Sequence, residues 1–242
     1  MKDNRMHSSK KNQESMELKG YVSPPHQYRL KNSTVQSFGY DNSGKIEYNF
    51  NSIGFRSAEI SNNDSVFVIG NSLSFGLGLS FENIYGTIIS NHIQMPLTNL
   101  SYGCYLHENH DHLHNIHLLS QRDNDDIVLL QINNLDRYRL DKNTVITGND
   151  NELCITRFLD YFGQIQSLLK HKKLVLMYWD DIHYDIPKTV QDQILIYNKG
   201  HQDRSLSDHA FTFGPKTHSW IAKILIAKLS RLVDHKVNLQ VQ

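Results

Sequence analysis

Short apolar runs alternate with amphipathic stretches from residue 66 to the end of the chain. The apolar runs predict five buried strands, at 66–69, 97–100, 126–132, 174–179 and 194–196. Apolar residues at helical spacing predict helices that begin near Phe81, cover about 158–169 and follow Gly214-Pro215. Strands that alternate with helices are typical of a parallel sheet covered on both faces. The pattern therefore predicts an α/β fold, a three-layer α/β/α sandwich with a five-stranded parallel sheet.

The first sixty residues follow a different pattern. Residues 1–20 are almost entirely polar, which predicts a disordered tail. Polar and apolar residues alternate over 45–50, directly after the turn residues Asn42-Ser43-Gly44, and this predicts a β-hairpin. We therefore expect a tail at 1–20, an N-terminal hairpin lead-in at 21–60 and the α/β/α domain at 61–242.

Charge and cysteine content exclude several classes of protein. The 242 residues include 25 basic and 25 acidic ones, so no general positive field attracts a phosphate backbone, and nucleic acid is not an expected partner. Two cysteines are too few for a disulfide scaffold and lack the spacing of a zinc site. Neither an apolar leader nor a run of roughly 18 apolar residues is present, which predicts no membrane span and favours a cytoplasmic location.

A turn rich in glycine and serine follows the first predicted strand, over residues 70–78. Loops at the carboxyl ends of parallel strands line the ligand crevice, so Ser72 is a candidate nucleophile there. Backbone N–H groups beside it can stabilise an oxyanion. The same residues also fit an ordinary turn in which Asn71 and Ser72 cap the next helix.

Three segments resemble the SGNH/GDSL hydrolase family. Residues 70–78, Gly-Asn-Ser-Leu-Ser-Phe-Gly-Leu-Gly, resemble the family's first block, in which Gly-Asp-Ser precedes a Phe-Gly-x-Gly turn. Residues 51–56 resemble the Asn-x-x-Gly-Phe-Arg lead-in of bacterial members, and 214–222 resemble the entry into the final helix. The resemblance implies the flavodoxin-like SGNH hydrolase fold, and it implies neither a metal nor an organic cofactor.

The resemblance also implies how the oxyanion is held. The backbone N–H groups of Ser72 and Gly103 take two positions of the oxyanion hole. The family's third block supplies an asparagine side chain, but ungapped register places Leu135 there. Asn133 or Asn134 serves only if this loop is shifted, and both asparagines also fit a plain strand end. Asn71 stands where the family has aspartate, a change that removes a charge and keeps the capping oxygen.

The general base is expected in the loop before the last helix, where the family has Asp-x-x-His. Aligned on residues 214–218, the position of the base falls on Thr212, which cannot deprotonate a serine. We predict His209 as the base, with Asp208 or Asp203 orienting it. His218 is the alternative base, and we expect it rather to cap or pack at the start of the last helix.

Five histidines lie within residues 107–117. In a helix, His107, His110, His114 and His117 would share one face, and pairs four residues apart suit zinc or nickel. A solvated polar face explains the same spacing, since nothing in the motif fixes a third ligand. A histidine-rich metal-binding protein is therefore the weakest of the alternatives.

The predicted function is that of an SGNH-like serine esterase or acyltransferase. Its substrate would be an O-acyl ester of a sugar or other small polar molecule, cleaved through an acyl-serine intermediate. The alternative is a catalytically silent SGNH-fold binding or assembly module. That alternative is motivated by the departures from the family pattern at Asn71, Leu135 and Thr212.

Overall fold

The computed structural model describes residues 28–38, 45–103, 109–135, 137–141, 144–147, 151–178, 185–196 and 213–239. Its strands are β1 (Thr34–Phe38), β2 (Lys45–Asn49), β3 (Val66–Ile69), β4 (Leu97–Asn99), β5 (Ile127–Ile132), β6 (Arg137–Asp141), β7 (Thr144–Thr147), β8 (Lys173–Tyr178) and β9 (Ile194–Ile196). Its α-helices are α1 (Ser72–Phe75), α2 (Tyr85–Ile93), α3 (Leu113–Ser120), α4 (Asn151–Leu168), α5 (Lys188–Gln191) and α6 (Pro215–Leu239). Short 3₁₀ helices cover Tyr28–Leu30, Phe81–Asn83 and Asn109–His112. None of the helices in these ranges combines the length and the apolar character needed to cross a membrane.

The main sheet has five parallel strands in the order β4-β3-β5-β8-β9. Numbered by their sequence within the sheet, this is the 2-1-3-4-5 order of flavodoxin-like folds. The predicted fold class is therefore confirmed. The predicted N-terminal hairpin is confirmed as well, because β1 and β2 pair antiparallel ahead of the sheet.

Helices cover both faces of this sheet, and alternate strand residues point to opposite sides. Phe67 and Ile69 of β3 pack in one apolar cluster with α3 and α4. Val66 and Val68 pack in the other cluster, with α2 and α6. Every residue of β3 and β5 is buried, as a strand with helices on both sides requires.

Two elements differ from the sequence prediction. The helix expected near Phe81 starts as a 3₁₀ turn, and the extended backbone of Ile84 separates this turn from α2. The antiparallel pair β6–β7 was not predicted. Its first strand carries charged residues at alternate positions, so the segment lacks the apolar run that marks the strands of the main sheet.

Candidate active site

The turn after β3 places Ser72 at the carboxyl edge of the sheet. Asn71 is the N-cap of α1, and its Oδ1 accepts a hydrogen bond from the Leu73 N–H over 3.0 Å. A Cβ at Gly70 would lie 2.4 Å from the Ser74 hydroxyl oxygen, so only glycine allows this close approach. Gly76 ends the turn with a left-handed φ of 75°. The Ser72 side chain, half-buried, is therefore held on a tight strand-to-helix turn.

Gly103 lies beside this turn. The Tyr102 N–H donates to the Gly70 carbonyl over 2.9 Å, so the parallel register of β3 and β4 continues past both strands. Gly103 follows Tyr102 directly, so it leaves the sheet beside the turn that carries Ser72. A Cβ at Gly103 would crowd the ring of Phe75, with the nearest ring carbon at 3.2 Å. Glycine thus allows the backbone at this position to lie close to the nucleophile turn.

Asn133 lies on the other side of the turn. β3 and β5 pair in parallel up to Ile69 and Leu130, so the loops that follow them leave the sheet side by side. The Asn71 Nδ2 donates to the Asn133 Oδ1 over 3.0 Å, which shows that the two loops meet. Gly103 and Asn133 therefore lie in the loops on either side of the nucleophile turn.

The loop after β5 places Leu135, which ungapped register selected, apart from the two alternatives Asn133 and Asn134. Asn133 is buried, Asn134 is exposed, and Leu135 packs into the apolar cluster below the sheet. Leu135 therefore serves the core, because the strand ends at Ile132 and the next residue already faces the nucleophile turn. Of the two asparagines in this loop, Asn133 is the one that binds the nucleophile turn, through Asn71, and it lies two residues before the position that ungapped register indicated.

A chain of uncharged hydrogen-bonding groups holds Asn133. Its Nδ2 lies 3.3 Å from the Nε2 of His112, which is fully buried and stacks on the ring of Tyr102. Asn109 binds the backbone of Asn133, accepting from its N–H over 2.7 Å and donating to its carbonyl over 3.3 Å. Burial lowers the pKa of His112 to about 3, so its imidazole is neutral at neutral pH.

The segment that resembles the Asn-x-x-Gly-Phe-Arg lead-in supports the nucleophile turn from behind. Asn51 Oδ1 accepts from the backbone N–H of Phe55, and this turn directs Arg56 into the interior. The Arg56 guanidinium donates to the carbonyls of Gly76 (2.7 Å) and Leu79 (2.5 Å). Burial lowers the pKa of Arg56 to about 10, so it remains a cation at neutral pH.

The histidines before and within the last helix have different positions. His209, Asp208, Asp203 and Thr212 lie outside the described residues. His218 lies in the first turn of α6 and is 1% exposed.

The His218 Nδ1 accepts a hydrogen bond from the Tyr85 N–H over 3.1 Å, and the two rings stack. His218 thereby supplies an acceptor for an N–H group at the N-terminus of α2 that has no hydrogen-bond acceptor within the helix.

The histidine-rich segment does not present a single histidine face. His107 lies outside the described residues, His110 contacts Asp160 over 3.3 Å, and His114 and His117 are exposed. Across the described parts of the chain, no group of three or more histidine, cysteine or acidic side chains could hold a metal ion. Sequence reasoning missed His112, because the 3₁₀ turn at Asn109–His112 precedes α3 and breaks the helical spacing.

Comparisons with known proteins find similarity at the level of structure. No family model and no curated protein matches this sequence. Similar solved structures include a carbohydrate esterase, described as displaying divergent catalytic and non-catalytic binding functions in its active site (13% identity, TM-score 0.49, covering 72% of this chain and 67% of that chain). A putative lipolytic protein of the G-D-S-L family from Desulfitobacterium hafniense DCB-2 is also similar (13% identity, TM-score 0.43, covering 68% of this chain and 99% of that chain). The psychrotrophic esterase EstA from a Pseudoalteromonas species is similar as well (13% identity, TM-score 0.45, covering 71% of this chain and 100% of that chain).

Proposed function

We propose that this chain is an SGNH-type serine esterase or O-acyltransferase. One observation carries the proposal: Ser72 starts a helix at the carboxyl edge of the sheet, where the preceding residue Asn71 binds Asn133 and Gly70 binds Tyr102, next to Gly103. Three separate loops have to meet for this arrangement. A plain glycine-serine turn would require only the first of them.

The chemistry proceeds through an acyl-serine. The Ser72 Oγ attacks the ester carbonyl carbon while a histidine accepts its proton, and the carbonyl oxygen becomes an anion. The backbone N–H groups of Ser72 and Gly103, together with the Asn133 amide, donate hydrogen bonds to that oxygen. The leaving alcohol departs with the proton. Water or an acceptor hydroxyl then attacks the acyl-serine, which gives hydrolysis or transfer.

The substrate that suits this edge is an O-acyl ester of a sugar or another small polar molecule. The exposed Asn134 brings a carboxamide group to the end of β5. A carboxamide both donates and accepts hydrogen bonds, as binding of a hydroxyl-rich sugar requires. The assignment is tested by comparing acetylated sugars with acetate esters of apolar alcohols, for which we expect slower turnover; equal turnover of both would contradict it.

The base in this proposal is His209, with Asp208 or Asp203 orienting its imidazole. His218 is a poor base, because its Nδ1 is already bound to the backbone of α2 in a buried position. His209→Ala should slow acylation of Ser72 by about 10² to 10⁴ and leave the folded state intact. Equal labelling rates in wild type and His209→Ala would remove His209 from this role.

A fluorophosphonate serine probe tests the proposal directly. The Ser72 oxygen should form a bond to phosphorus as fluoride leaves, and mass spectrometry of the digest should locate the adduct on Ser72. Ser72→Ala should abolish labelling. Ser80→Ala is the matched control, since Ser80 lies on the same loop and binds only its local neighbours, and it should label like the wild type.

A folded protein that takes no label, under conditions that label a control hydrolase, would contradict the proposal. That result would favour the catalytically silent binding module. A label at any other serine would contradict the assignment of Ser72.

A further inference from the structure

Hydrogen bonds connect Asn71 through Asn133 to His112. One backbone N–H group determines which atoms donate and which accept in each of them. The Leu73 N–H can only donate, so the atom of Asn71 that faces it at 3.0 Å is the oxygen Oδ1. The other end of the Asn71 carboxamide is then Nδ2, which donates to Asn133 over 3.0 Å. Each later group in the chain is fixed in the same way.

The protonation of the His112 imidazole follows from the same hydrogen bonds. Because the Asn133 Oδ1 accepts from Asn71, its Nδ2 faces the Nε2 of His112 at 3.3 Å and donates to it. An accepting Nε2 carries no proton, so the neutral ring carries its proton on Nδ1. The position of one backbone N–H therefore fixes two carboxamides and one histidine tautomer.

We propose that His112 is a positioning residue that holds the Asn133 carboxamide in this orientation. Residue 71 sets the direction of all the hydrogen bonds that run from it through Asn133 to His112. This inference rests on the proposed role of Asn133 in the oxyanion hole. His112 is suited to it because it is fully buried, stacked on Tyr102, and neutral at working pH. It is a fixed acceptor that neither moves nor titrates near neutral pH.

An aspartate at residue 71 would reverse the direction of these hydrogen bonds. Both carboxylate oxygens accept, so one would still cap Leu73 while the other faced the Asn133 Oδ1 in mutual repulsion. Asn133 would rotate to donate its Nδ2 to the carboxylate. Its Oδ1 would then face His112, which would have to move its proton from Nδ1 to Nε2. Residue 71 therefore selects the tautomer of a histidine with which it makes no direct hydrogen bond.

Nitrogen NMR of histidine-labelled protein measures the tautomer without any need for activity. The His112 resonances are assigned as those missing from the His112→Gln spectrum. We expect Nδ1–H in the native protein and Nε2–H in Asn71→Asp. Asn134→Asp is the matched control, because it adds the same charge at the neighbouring exposed position, and it should keep the native tautomer.

Labelling rates test the positioning role. His112→Leu removes the acceptor and should slow labelling of Ser72 about 10- to 100-fold, since a misplacement of about 1 Å can cost about 10² in rate. His112→Gln keeps an acceptor at the end of its side chain and should restore most of the rate. A role in stability alone would not distinguish these variants once both are folded.

Three results would overturn the inference. They are Nε2–H in the native protein, an unchanged tautomer in Asn71→Asp, and wild-type labelling by folded His112→Leu. If His112→Leu does not fold, the native and Asn71→Asp spectra still determine the direction of the hydrogen bonds from residue 71 to His112. If native Ser72 takes no label, the proposed function fails, whereas the tautomer measurement remains a test of residue 71.

Discussion

Buried polar groups tie β3 to β5 at both ends of the strand pair, but the two ends use different chemistry. At the amino end, Asp126 is fully buried and binds Arg122 (3.0 Å), Lys172 (3.1 Å) and the Ser65 N–H (3.0 Å). At the carboxyl end, the contacts join the neutral side chains of Asn71 and Asn133.

The difference reflects what each end has to do. The proposed reaction takes place away from the amino end, where full charges can be buried as long as they remain paired. In that proposal a negative charge develops on a substrate oxygen at the carboxyl end, and a fixed carboxylate beside it would oppose that charge. Carboxamides supply hydrogen bonds without such a cost. The comparison therefore predicts that substitutions at one end change stability and that those at the other change reactivity.

The largest effect is expected at the amino end. Asp126→Ala leaves the partly buried Lys172 and Arg122 without their buried counter-ion, and should reduce the free energy of unfolding by about 3 to 5 kcal/mol. Urea denaturation measures this loss. Asp125→Ala is the matched control, because Asp125 forms an exposed ion pair with Lys173 and should cost at most about 1 kcal/mol.

Folded Asp126→Ala should still label at Ser72 at the wild-type rate. A comparable loss of stability in both aspartate variants would show that the amino-end cluster is not held by its buried charge.

The next effect belongs to the carboxyl end. Asn133→Ala removes an oxyanion donor and should slow labelling of Ser72 by about 10² to 10³. Asn134→Ala, at the exposed neighbouring position, should label at the wild-type rate, because the fluorophosphonate probe carries no sugar for Asn134 to bind. Rates of probe labelling in the two variants make the measurement. Similar slowing in both, or in neither, would contradict the placement of Asn133 beside the nucleophile.

Acid should act on the carboxyl end through His112. Its pKa is about 3 in the folded protein and near 6.5 when exposed, so between these values the unfolded chain binds a proton that the native state does not. Stability should therefore fall as the pH falls, by up to about 1.4 kcal/mol per pH unit between roughly pH 6 and pH 4. Urea denaturation across this range should show a shallower dependence in His112→Gln. Parallel curves would contradict the prediction.

The smallest effect is expected away from both clusters, at His218. His218→Ala leaves the Tyr85 N–H without its acceptor and should cost about 1 to 2 kcal/mol of stability. Thermal unfolding measures this cost, and the rate of Ser72 labelling in the folded variant should not change. Loss of labelling at an unchanged melting temperature would instead make His218 the base.

Patterns in the sequence were sufficient for the sheet. Four of the five strands of the main sheet are short apolar runs bounded by polar or turn residues, as strands covered on both faces require, whereas β4 is Leu97-Thr98-Asn99. The position of Ser72 followed for the same reason, because the turn after β3 has to emerge at the carboxyl edge. β6 and β7 lie outside that sheet; β6 alternates polar and apolar residues as β2 does, but it lacks the apolar run that marks most strands of the main sheet.

The details of the candidate site required register, which local sequence does not contain. The placement of Asn133 depends on β5 ending at Ile132 and pairing with β3 in one particular alignment. His112 depends on a 3₁₀ turn that rotates it away from the spacing of a regular helix. Both features are set by how distant segments pack, so a motif read without gaps selected Leu135 and a helical projection left out His112.

The contacts of Arg56 bear on where the working unit of this protein begins. A chain that started at residue 61 would lose the guanidinium that binds the Gly76 and Leu79 carbonyls. It would also lose Tyr48, whose hydroxyl accepts the Gly78 N–H over 2.7 Å. Residues 45–60 and the nucleophile turn therefore form one structural unit. An exchange of the α/β/α part between related proteins would have to include residues 45–60.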